Sequence, residues 1–191
     1  MPNTKGIIFV ISAPSGGGKT SLVKALLKKD ANLTHPVSFT TRPPRRKEKN
    51  GRDYHFISDE EFKKRLTKGD FLEWSRPFGQ RYATPSAAIL RSIRRGRNVV
   101  LNLDVRGASF IKKKFKDAVL IYVLPPSLNA LRKRLIGRST DDSREITKRF
   151  RLAKKDIANL NKYDYAVVND KFGEAVSDLQ AILIAEKFKV R

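Results

Sequence analysis

The chain has 191 residues, of which 41 are Lys or Arg and 19 are Asp or Glu, so its formal net charge is +22 and polyanions are its expected partners. The length fits one domain, the 40% of hydrophobic residues suffices to build a core, and the absence of cysteine excludes a disulfide scaffold and a thiolate zinc site. The longest apolar run near the start, residues 7–11, is far shorter than the ~20 residues of a membrane span, so we expect no signal peptide, no membrane partner and a cytoplasmic location.

The first thirty residues predict a strand, a glycine-rich loop and a helix. The run Gly6–Ser12 is short, continuous and β-branched, which is typical of a buried parallel strand. Residues 13–18 contain glycine, serine and proline, which indicate a loop. In the segment Lys19–Lys29, leucine and valine recur at helical spacing, so an amphipathic helix follows the loop directly.

The middle of the chain, about residues 36–96, predicts short strands of mixed polarity and two helices. The strands are expected at Val37–Phe39, Tyr54–Ile57, Phe71–Ser75 and Gly79–Tyr82. The helices are expected from Ser58 or Asp59 to about Lys68, before Gly69, and from Ser86 to Arg95, before Gly96. Residues 41–51 are charged and rich in proline, which indicates an exposed loop.

Nearly continuous apolar strands return after residue 97. We expect strands at Asn98–Leu103, Ala118–Leu124 and Tyr165–Val168. We expect helices near Ala108–Phe115, from the cap Ser127 to Ile136, at Ile146–Leu160 and at Ala175–Phe188, with a polar loop at Gly137–Ser143. Apolar strands that alternate with helices predict an α/β fold with a parallel sheet flanked by helices, into which the middle segment is inserted as a smaller lobe.

The loop after the first strand matches the phosphate-binding pattern G-x-x-x-x-G-K-[ST] in all but its first position. Its residues are Ala13, Pro14, Ser15, Gly16, Gly17, Gly18, Lys19 and Thr20. Glycines let successive backbone N–H groups point at phosphate oxygens, and the helix that begins at Lys19 presents its positive dipole end to the anion. Lys19 adds a charge near the β- and γ-phosphates, and the Thr20 hydroxyl suits Mg²⁺. The sequence therefore predicts a nucleoside triphosphate site that uses Mg²⁺.

Six further blocks of sequence accompany this loop. They are S-x-T-T-R-x-P-R at Ser38–Arg45, N-G-x-D-Y-x-F at Asn50–Phe56, F-L-E-W at Phe71–Trp74, Y-x-T at Tyr82–Thr84, L-x-L-D-V-x-G at Leu101–Gly107 and V-N-D at Val168–Asp170. In these blocks, which follow one another in family order over roughly residues 5–188, the chain resembles guanylate kinase, the family that passes a phosphoryl group from ATP to GMP. Any one block alone is weak, whereas together they are very specific.

The resemblance implies a P-loop NTPase core, a small mixed α/β GMP-binding lobe inserted into it, and a helical lid, all within a single domain. It assigns the core to about residues 1–35, 97–136 and 161–191. It assigns the GMP-binding lobe to about residues 36–96 and the lid to about residues 137–160.

The resemblance also assigns eight residues to GMP. They are Ser38, Arg42, Arg45, Tyr54, Glu73, Tyr82, Thr84 and Asp104. The two arginines and two tyrosines would hold the phosphate, because guanidinium forks and phenols offer many donors to a dianion. Glu73 would accept from N1–H and the 2-amino group of guanine, Ser38 and Thr84 would donate to O6, and Asp104 would assist at the base. A solvated arginine loop, tyrosines in the core and a surface glutamate are the alternatives.

On the ATP side the resemblance adds three arginines near or in the lid and one asparagine. They are Arg134, Arg138, Arg149 and Asn169. The arginines would close over ATP and offset charge on the transferring γ-phosphoryl group, so the expected catalytic residues are Lys19, Arg42, Arg138 and Arg149. Asn169 would lie near the adenine. The alternative for the three arginines is a place on a helix surface.

Asn102 departs from the family pattern, which usually has an acid two residues before the Asp104 position. We therefore expect no carboxylate ligand to Mg²⁺ from this strand, and Thr20 is the expected metal-binding side chain.

Two other functions remain open at this point. A catalytically inactive guanylate-kinase-like module that binds proteins would be expected to have lost the phosphate-binding loop, whereas Gly16, Gly18, Lys19 and Thr20 are intact. The hypothesis of a nucleic-acid-binding P-loop protein is supported by the net charge alone. We expect nucleic acid to bind only non-specifically, through the basic surface. The sequence leaves open whether the protein is a monomer or a homo-oligomer.

Overall fold

The computed structural model describes residues 5–46, 48–76, 79–137 and 143–190, with the backbone alone for residues 143–145. The strands are β1 (Ile8–Ser12), β2 (Leu33–Thr34), β3 (Phe39–Thr40), β4 (His55–Phe56), β5 (Phe71–Ser75), β6 (Tyr82–Pro85), β7 (Asn98–Asn102), β8 (Val119–Leu124) and β9 (Tyr165–Val168). The helices are α1 (Lys19–Lys29), α2 (Asp59–Thr67), α3 (Ser86–Arg94), α4 (Val105–Lys114), α5 (Leu128–Ile136), α6 (Ser143–Ile157) and α7 (Phe172–Phe188), and a 3-10 turn spans Leu160–Lys162.

Five parallel strands form the larger sheet, in the order β2-β7-β1-β8-β9. All five residues of β1 are buried, and alternate side chains enter two apolar clusters. Phe9 and Ile11 pack with residues of α1 and α7, whereas Ile8 and Val10 pack with residues of α3 and α4. Helices therefore cover both faces of the sheet, and the predicted α/β fold with a flanked parallel sheet is confirmed.

The smaller sheet has four short strands in the order β4-β3-β6-β5. The pair β3–β4 is parallel, whereas β6 runs antiparallel to both β3 and β5. In the last pair Glu73 lies opposite Thr84. Helix α2 packs its buried Phe62 against Phe71 of β5, with ring centroids 4.9 Å apart. This sheet lies within the segment for which the sequence predicts an inserted lobe, while the exact limits of lobe and lid stay predictions.

Capping side chains determine where several helices begin. Ser58 Oγ accepts a hydrogen bond from Glu61 N, and Ser127 Oγ accepts one from Ala130 N, so α2 and α5 begin where the serines predict. Helix α4 begins at Val105 rather than near Ala108, because Asp104 accepts a hydrogen bond from the backbone of the first turn and caps it.

Other boundaries differ from the prediction for local reasons. Strand β6 lies at Tyr82–Pro85 instead of Gly79–Tyr82, because it runs directly into α3 with Pro85 at the helix N-cap. The two-residue strand β2 is too short to show an alternation of hydrophobic and polar residues, so the sequence does not predict it. Most of the predicted loop at Gly137–Ser143 lies outside the described residues. None of the helices in the described part of the chain has the length and apolar character of a membrane span.

Candidate functional site

A cleft of about 750 Å³ lies between the carboxyl edge of the larger sheet and the smaller sheet. Parallel strands bring the loops that follow β1 and β7 to this edge, since Ile11 pairs with Asn102. The cleft contains the whole predicted phosphate-binding loop, residues 13–20, together with Arg149 of α6. It also contains all eight residues assigned to the second nucleotide, namely Ser38, Arg42, Arg45, Tyr54, Glu73, Tyr82, Thr84 and Asp104.

The phosphate-binding loop owes its shape to its glycines. Gly16 and Gly18 both have a φ of 88°, a left-handed conformation that residues with a side chain rarely adopt. Gly17 N donates to Pro14 O at 2.9 Å, and Lys19 Nζ donates to the carbonyl of Ala13 across the loop. The loop leads directly into α1, so the first amides of this helix face an anion placed in the loop.

Asn169 and Arg134 lie behind the loop and do not line the cleft. The Asn169 side chain is 6% exposed and donates from Nδ2 to Gly17 O at 3.0 Å. A Cβ at Gly18 would lie 2.6 Å from this same Nδ2 atom, so the asparagine packs tightly against the loop. Arg134 in turn donates to Asn169 O at 2.9 Å. These contacts support the loop, and direct contact of either residue with ATP stays a prediction.

Helix α6 lines the cleft beside the loop. Arg149 donates to Ser15 Oγ at 3.4 Å, which holds its guanidinium near the phosphate-binding amides. Asp156, which sequence reasoning did not single out, also lines the cleft. Burial raises the pKa of Asp156, and the nearby charge of Lys19 opposes this shift. The remaining predicted catalytic residue, Arg138, lies outside the described residues.

Arg42 is the centre of a cluster of aromatic and acidic side chains. Its Nε donates to Tyr82 Oη at 3.0 Å, and its guanidinium carbon lies 5.6 Å from the centre of the Tyr54 ring. Burial by itself would lower the pKa of Arg42, but the hydrogen bonds that Arg42 donates to Glu48 and Tyr82 raise it. Burial also raises the pKa of Tyr54, so both phenol and guanidinium are donors at neutral pH.

Glu48 binds the side chain of Arg42 and the backbone of Arg45, and it was missed by sequence reasoning. Its two carboxylate oxygens each accept from Arg42 NH2 at 2.9 Å, and Oε2 also accepts from Arg45 N at 2.8 Å. In the sequence Glu48 is one acid within a basic loop, and only the folded loop shows that it pairs with Arg42. The pair fixes the plane of the Arg42 guanidinium beside Tyr82.

Glu73 is a buried carboxyl group with an unused acceptor. It is 5% exposed, its Oε1 accepts from Thr84 Oγ1 at 2.5 Å, and its Oε2 has no hydrogen-bond partner among the described residues. Burial raises the pKa of Glu73 to about 7. The hydrogen bond from Thr84 opposes this shift, and the nearby charge of Asp104 adds a smaller increase. A buried acceptor of this kind is costly unless a ligand supplies the missing donors.

The end of β7 places an amide rather than a carboxylate beside the phosphate-binding loop. Asn102 Nδ2 donates to Thr20 Oγ1 at 3.4 Å. Over the residues that the structure describes, no group of three or more acidic or histidine side chains is arranged to hold a metal ion. The donor set therefore fits a Mg²⁺ ion that binds mainly through phosphate oxygens and water, with the Thr20 hydroxyl as its protein ligand.

Comparisons with known proteins agree with this geometry. The family model described as guanylate kinase matches residues 5–186. Proteins named guanylate kinase from Clostridium perfringens and Thermotoga maritima are each 44% identical to the chain, covering 98% and 97% of it and 87% and 90% of the relatives. The crystal structure of guanylate kinase from Anaplasma phagocytophilum superimposes with a TM-score of 0.84 at 30% identity, over 99% of this chain and 90% of that one.

Proposed function

The chain belongs to the guanylate kinase family, and from this we propose that it transfers the γ-phosphoryl group of ATP to GMP, giving ADP and GDP. Its broader enzyme class is that of the nucleoside-monophosphate kinases. One observation carries the choice of guanine: Glu73, a residue of the same cleft as the phosphate-binding loop, has a buried carboxyl oxygen, Oε2, without a partner among the described residues. Guanine offers two adjacent donors to such a carboxylate, whereas adenine offers no such pair on that edge.

The residues of the loop supply the ATP half of the mechanism. Backbone amides at the start of α1 and the Lys19 ammonium bind the triphosphate, and Arg149 lies beside them at Ser15 to offset charge on the transferring group. Bound with ATP, Mg²⁺ would neutralise phosphate charge, with Thr20 as its protein ligand. Positioning and electrostatics are sufficient for this transfer, so we propose no covalent intermediate.

The residues of the smaller sheet orient the acceptor. Arg42, Arg45, Tyr54 and Tyr82 converge on one part of the cleft and suit the GMP phosphate. Glu73 and Thr84 face each other across β5 and β6 and suit the guanine edge. With both ends fixed, a phosphate oxygen of GMP points toward the loop, while α6 limits the access of water to the γ-phosphoryl group.

A panel of acceptor nucleotides tests the proposal. ADP formation is measured with ATP and Mg²⁺ and, separately, GMP, AMP, UMP or TMP. We expect GMP to be the preferred acceptor by a wide margin in kcat/KM. Activity with AMP that equals or exceeds that with GMP would contradict the guanine assignment.

The raised pKa of Glu73 predicts that GMP binding depends on pH. The free carboxyl group has a pKa of about 7, and guanine requires its ionised form. GMP affinity is therefore expected to fall below pH 7, by up to tenfold per pH unit, with release of a proton on binding. Calorimetry at pH 6.5 in two buffers of different ionisation enthalpy measures this proton. Because the GMP phosphate also titrates near pH 6, guanosine is the control ligand; binding of guanosine without proton release would contradict the prediction.

Removal of the Glu48 carboxylate is expected to weaken GMP use without impairing the chemical step. In Glu48→Ala, Arg42 loses the carboxylate that accepts from its NH2 group through both oxygens and helps to orient the guanidinium, so KM for GMP is expected to rise roughly 5- to 30-fold, or about 1–2 kcal/mol. The values of kcat and of KM for ATP should stay within about twofold. Glu48→Gln should recover part of the loss, and Glu60→Ala, which removes an exposed glutamate of α2, should have no effect. A lowered KM for GMP would instead show that Glu48 competes with the phosphate.

A further inference from the structure

Two helices end side by side at the edge of the larger sheet that lies opposite the cleft. All five strands are parallel and begin at this edge, and α3 and α4 lead into β7 and β8. Both helices pack on the same face of the sheet, since Ile89 of α3 and Ile111 of α4 belong to one apolar cluster. A five-residue strand is about 17 Å long. The carboxyl-terminal ends of α3 and α4 are therefore separated from the nucleotide-binding loop by the length of the sheet.

Exposed cations concentrate at these two helix ends, in what we term the α3–α4 basic patch. Its members are Arg91, Arg94, Arg95, Lys113, Lys114 and Lys116. Among the ion pairs that the structure describes, none involves a member of the patch. The neighbouring Lys112, by contrast, pairs with Asp164 at 2.9 Å. In the sequence from 91 to 97 and from 106 to 117, Asp117 is the sole acid.

The fold alone does not account for this concentration of charge. A cation in the last turn of a helix stabilises it by about 0.3–1 kcal/mol, and the effect falls off beyond that turn. Lys116 lies beyond the end of α4, and Arg95 follows the last residue of α3. Six like charges, none in an ion pair with another described residue, repel one another in a chain whose net charge is already +22. A polyanion would relieve this repulsion and release its own counterions on binding.

We propose that the α3–α4 basic patch binds the phosphate backbone of a nucleic-acid duplex without sequence specificity. The helices lead into β7 and β8, which lie on either side of β1 and so about 10 Å apart, and a duplex carries one charge per ~1.7 Å of its axis, so the patch spans several phosphates. The arginine forks suit phosphate oxygens. Phe110, one turn before Lys113 and Lys114 on α4, is exposed, but single-strand binders stack successive bases on several aromatic side chains and not on one.

A membrane surface fits this patch less well. The apolar residues of α3 and α4, such as Ile89 and Ile111, are buried against the sheet. Among the described residues of these two helices, Phe110 is the single large apolar residue that is exposed, at 46%. A helix that lies in a bilayer interface needs a continuous apolar face, so the observations favour a duplex.

The test compares two variants that lose the same charge at different places. The patch variant replaces Arg91, Arg94, Lys113 and Lys114 with Gln, which favours helix and puts no acid at the helix ends. The control variant replaces Lys64, Lys68, Arg151 and Lys155, all exposed, with Gln. Binding of a labelled 20-base-pair duplex is followed by fluorescence anisotropy between 50 and 200 mM salt. Each phosphate that the protein neutralises contributes about −0.9 to the slope of the logarithm of the binding constant against the logarithm of the salt concentration.

We expect the wild type to bind the duplex at 50 mM salt with a slope of about −4 or steeper. The patch variant should lose at least tenfold in affinity and show a shallower slope, while the control variant stays within about threefold. Kinase activity of the patch variant with ATP and GMP should be unchanged, and excess duplex should not compete with GMP. Absence of duplex binding, equal loss in the control variant, competition with GMP, or binding to phosphatidylserine vesicles in place of the duplex would each overturn the proposal. These readouts do not depend on which nucleotide is the kinase substrate.

Discussion

Replacement of Lys19 with methionine is expected to lower kcat about 100- to 1000-fold, the loss typical of one preorganised charge at a transition state. Lys19 is the first residue of α1 and reaches across the phosphate-binding loop to Ala13 O. In the complex this ammonium would leave the carbonyl and meet the β- and γ-phosphates, where charge shifts during transfer. Methionine keeps the length of the side chain and its helix propensity but removes the charge.

Steady-state ADP formation with saturating ATP and GMP measures this loss. GMP affinity should be unchanged, because most of the residues assigned to GMP belong to the smaller sheet and its loops, whereas Lys19 follows a strand of the larger sheet. Lys28→Met, which removes an exposed lysine at the end of the same helix, is the matched control and should leave kcat unaltered. Near-normal turnover in the Lys19 variant would remove this residue from the catalytic machinery.

The second large effect is expected for Glu73→Gln. The glutamine keeps the shape of the side chain but loses the charge that would accept from two guanine donors, so kcat/KM for GMP should fall about 5- to 150-fold, or 1–3 kcal/mol. KM for ATP should not change. IMP lacks the 2-amino group, so the wild type should prefer GMP over IMP and the variant should discriminate less, which isolates the pairwise contact. Unchanged GMP kinetics would contradict the assigned role.

Glu73→Gln is expected to lower activity with GMP without lowering the stability of the free protein at pH 8. The two measurements therefore separate a role in catalysis from a role in folding. In the free protein the pKa of Glu73 is raised to about 7 from 4.5, so its stabilising contribution is present at low pH and is lost as pH rises through 7. At pH 8 the glutamine variant is therefore expected to melt at or above the temperature of the wild type. A marked loss of stability at pH 8 would show that the ionised carboxylate has a structural partner.

The sequence predicts best the parts of the fold that local chemistry specifies. Helix α1 begins at Lys19 and ends at Lys29 as predicted, because a glycine loop precedes an amphipathic repeat there. Ser58 and Ser127 cap their helices as predicted, because a side-chain oxygen at that position satisfies a free backbone amide. The phosphate-binding loop and Asp104 reach the same cleft because a parallel sheet gathers the loops after β1 and β7 at its carboxyl edge.

Features that depend on contacts distant in sequence could not be predicted in this way. Asn169 and Gly17 meet although 152 residues separate them, and no local pattern marks this hydrogen bond. Glu48 pairs with Arg42 only after the loop folds. The raised pKa of Glu73 follows from burial against the tertiary structure and not from its neighbours in the chain. Only the resemblance placed Glu73 and Thr84 in one predicted site, since the register that brings β5 and β6 together is itself tertiary.

A competition experiment tests most directly whether the buried carboxylate across from the phosphate-binding loop selects guanine. The protein is incubated with Mg²⁺, ATP labelled in its γ-phosphate, and equal concentrations of GMP and AMP, and the labelled nucleoside diphosphates are separated. The account predicts that the label appears almost entirely in GDP. Labelled ADP in an amount comparable to labelled GDP would contradict it.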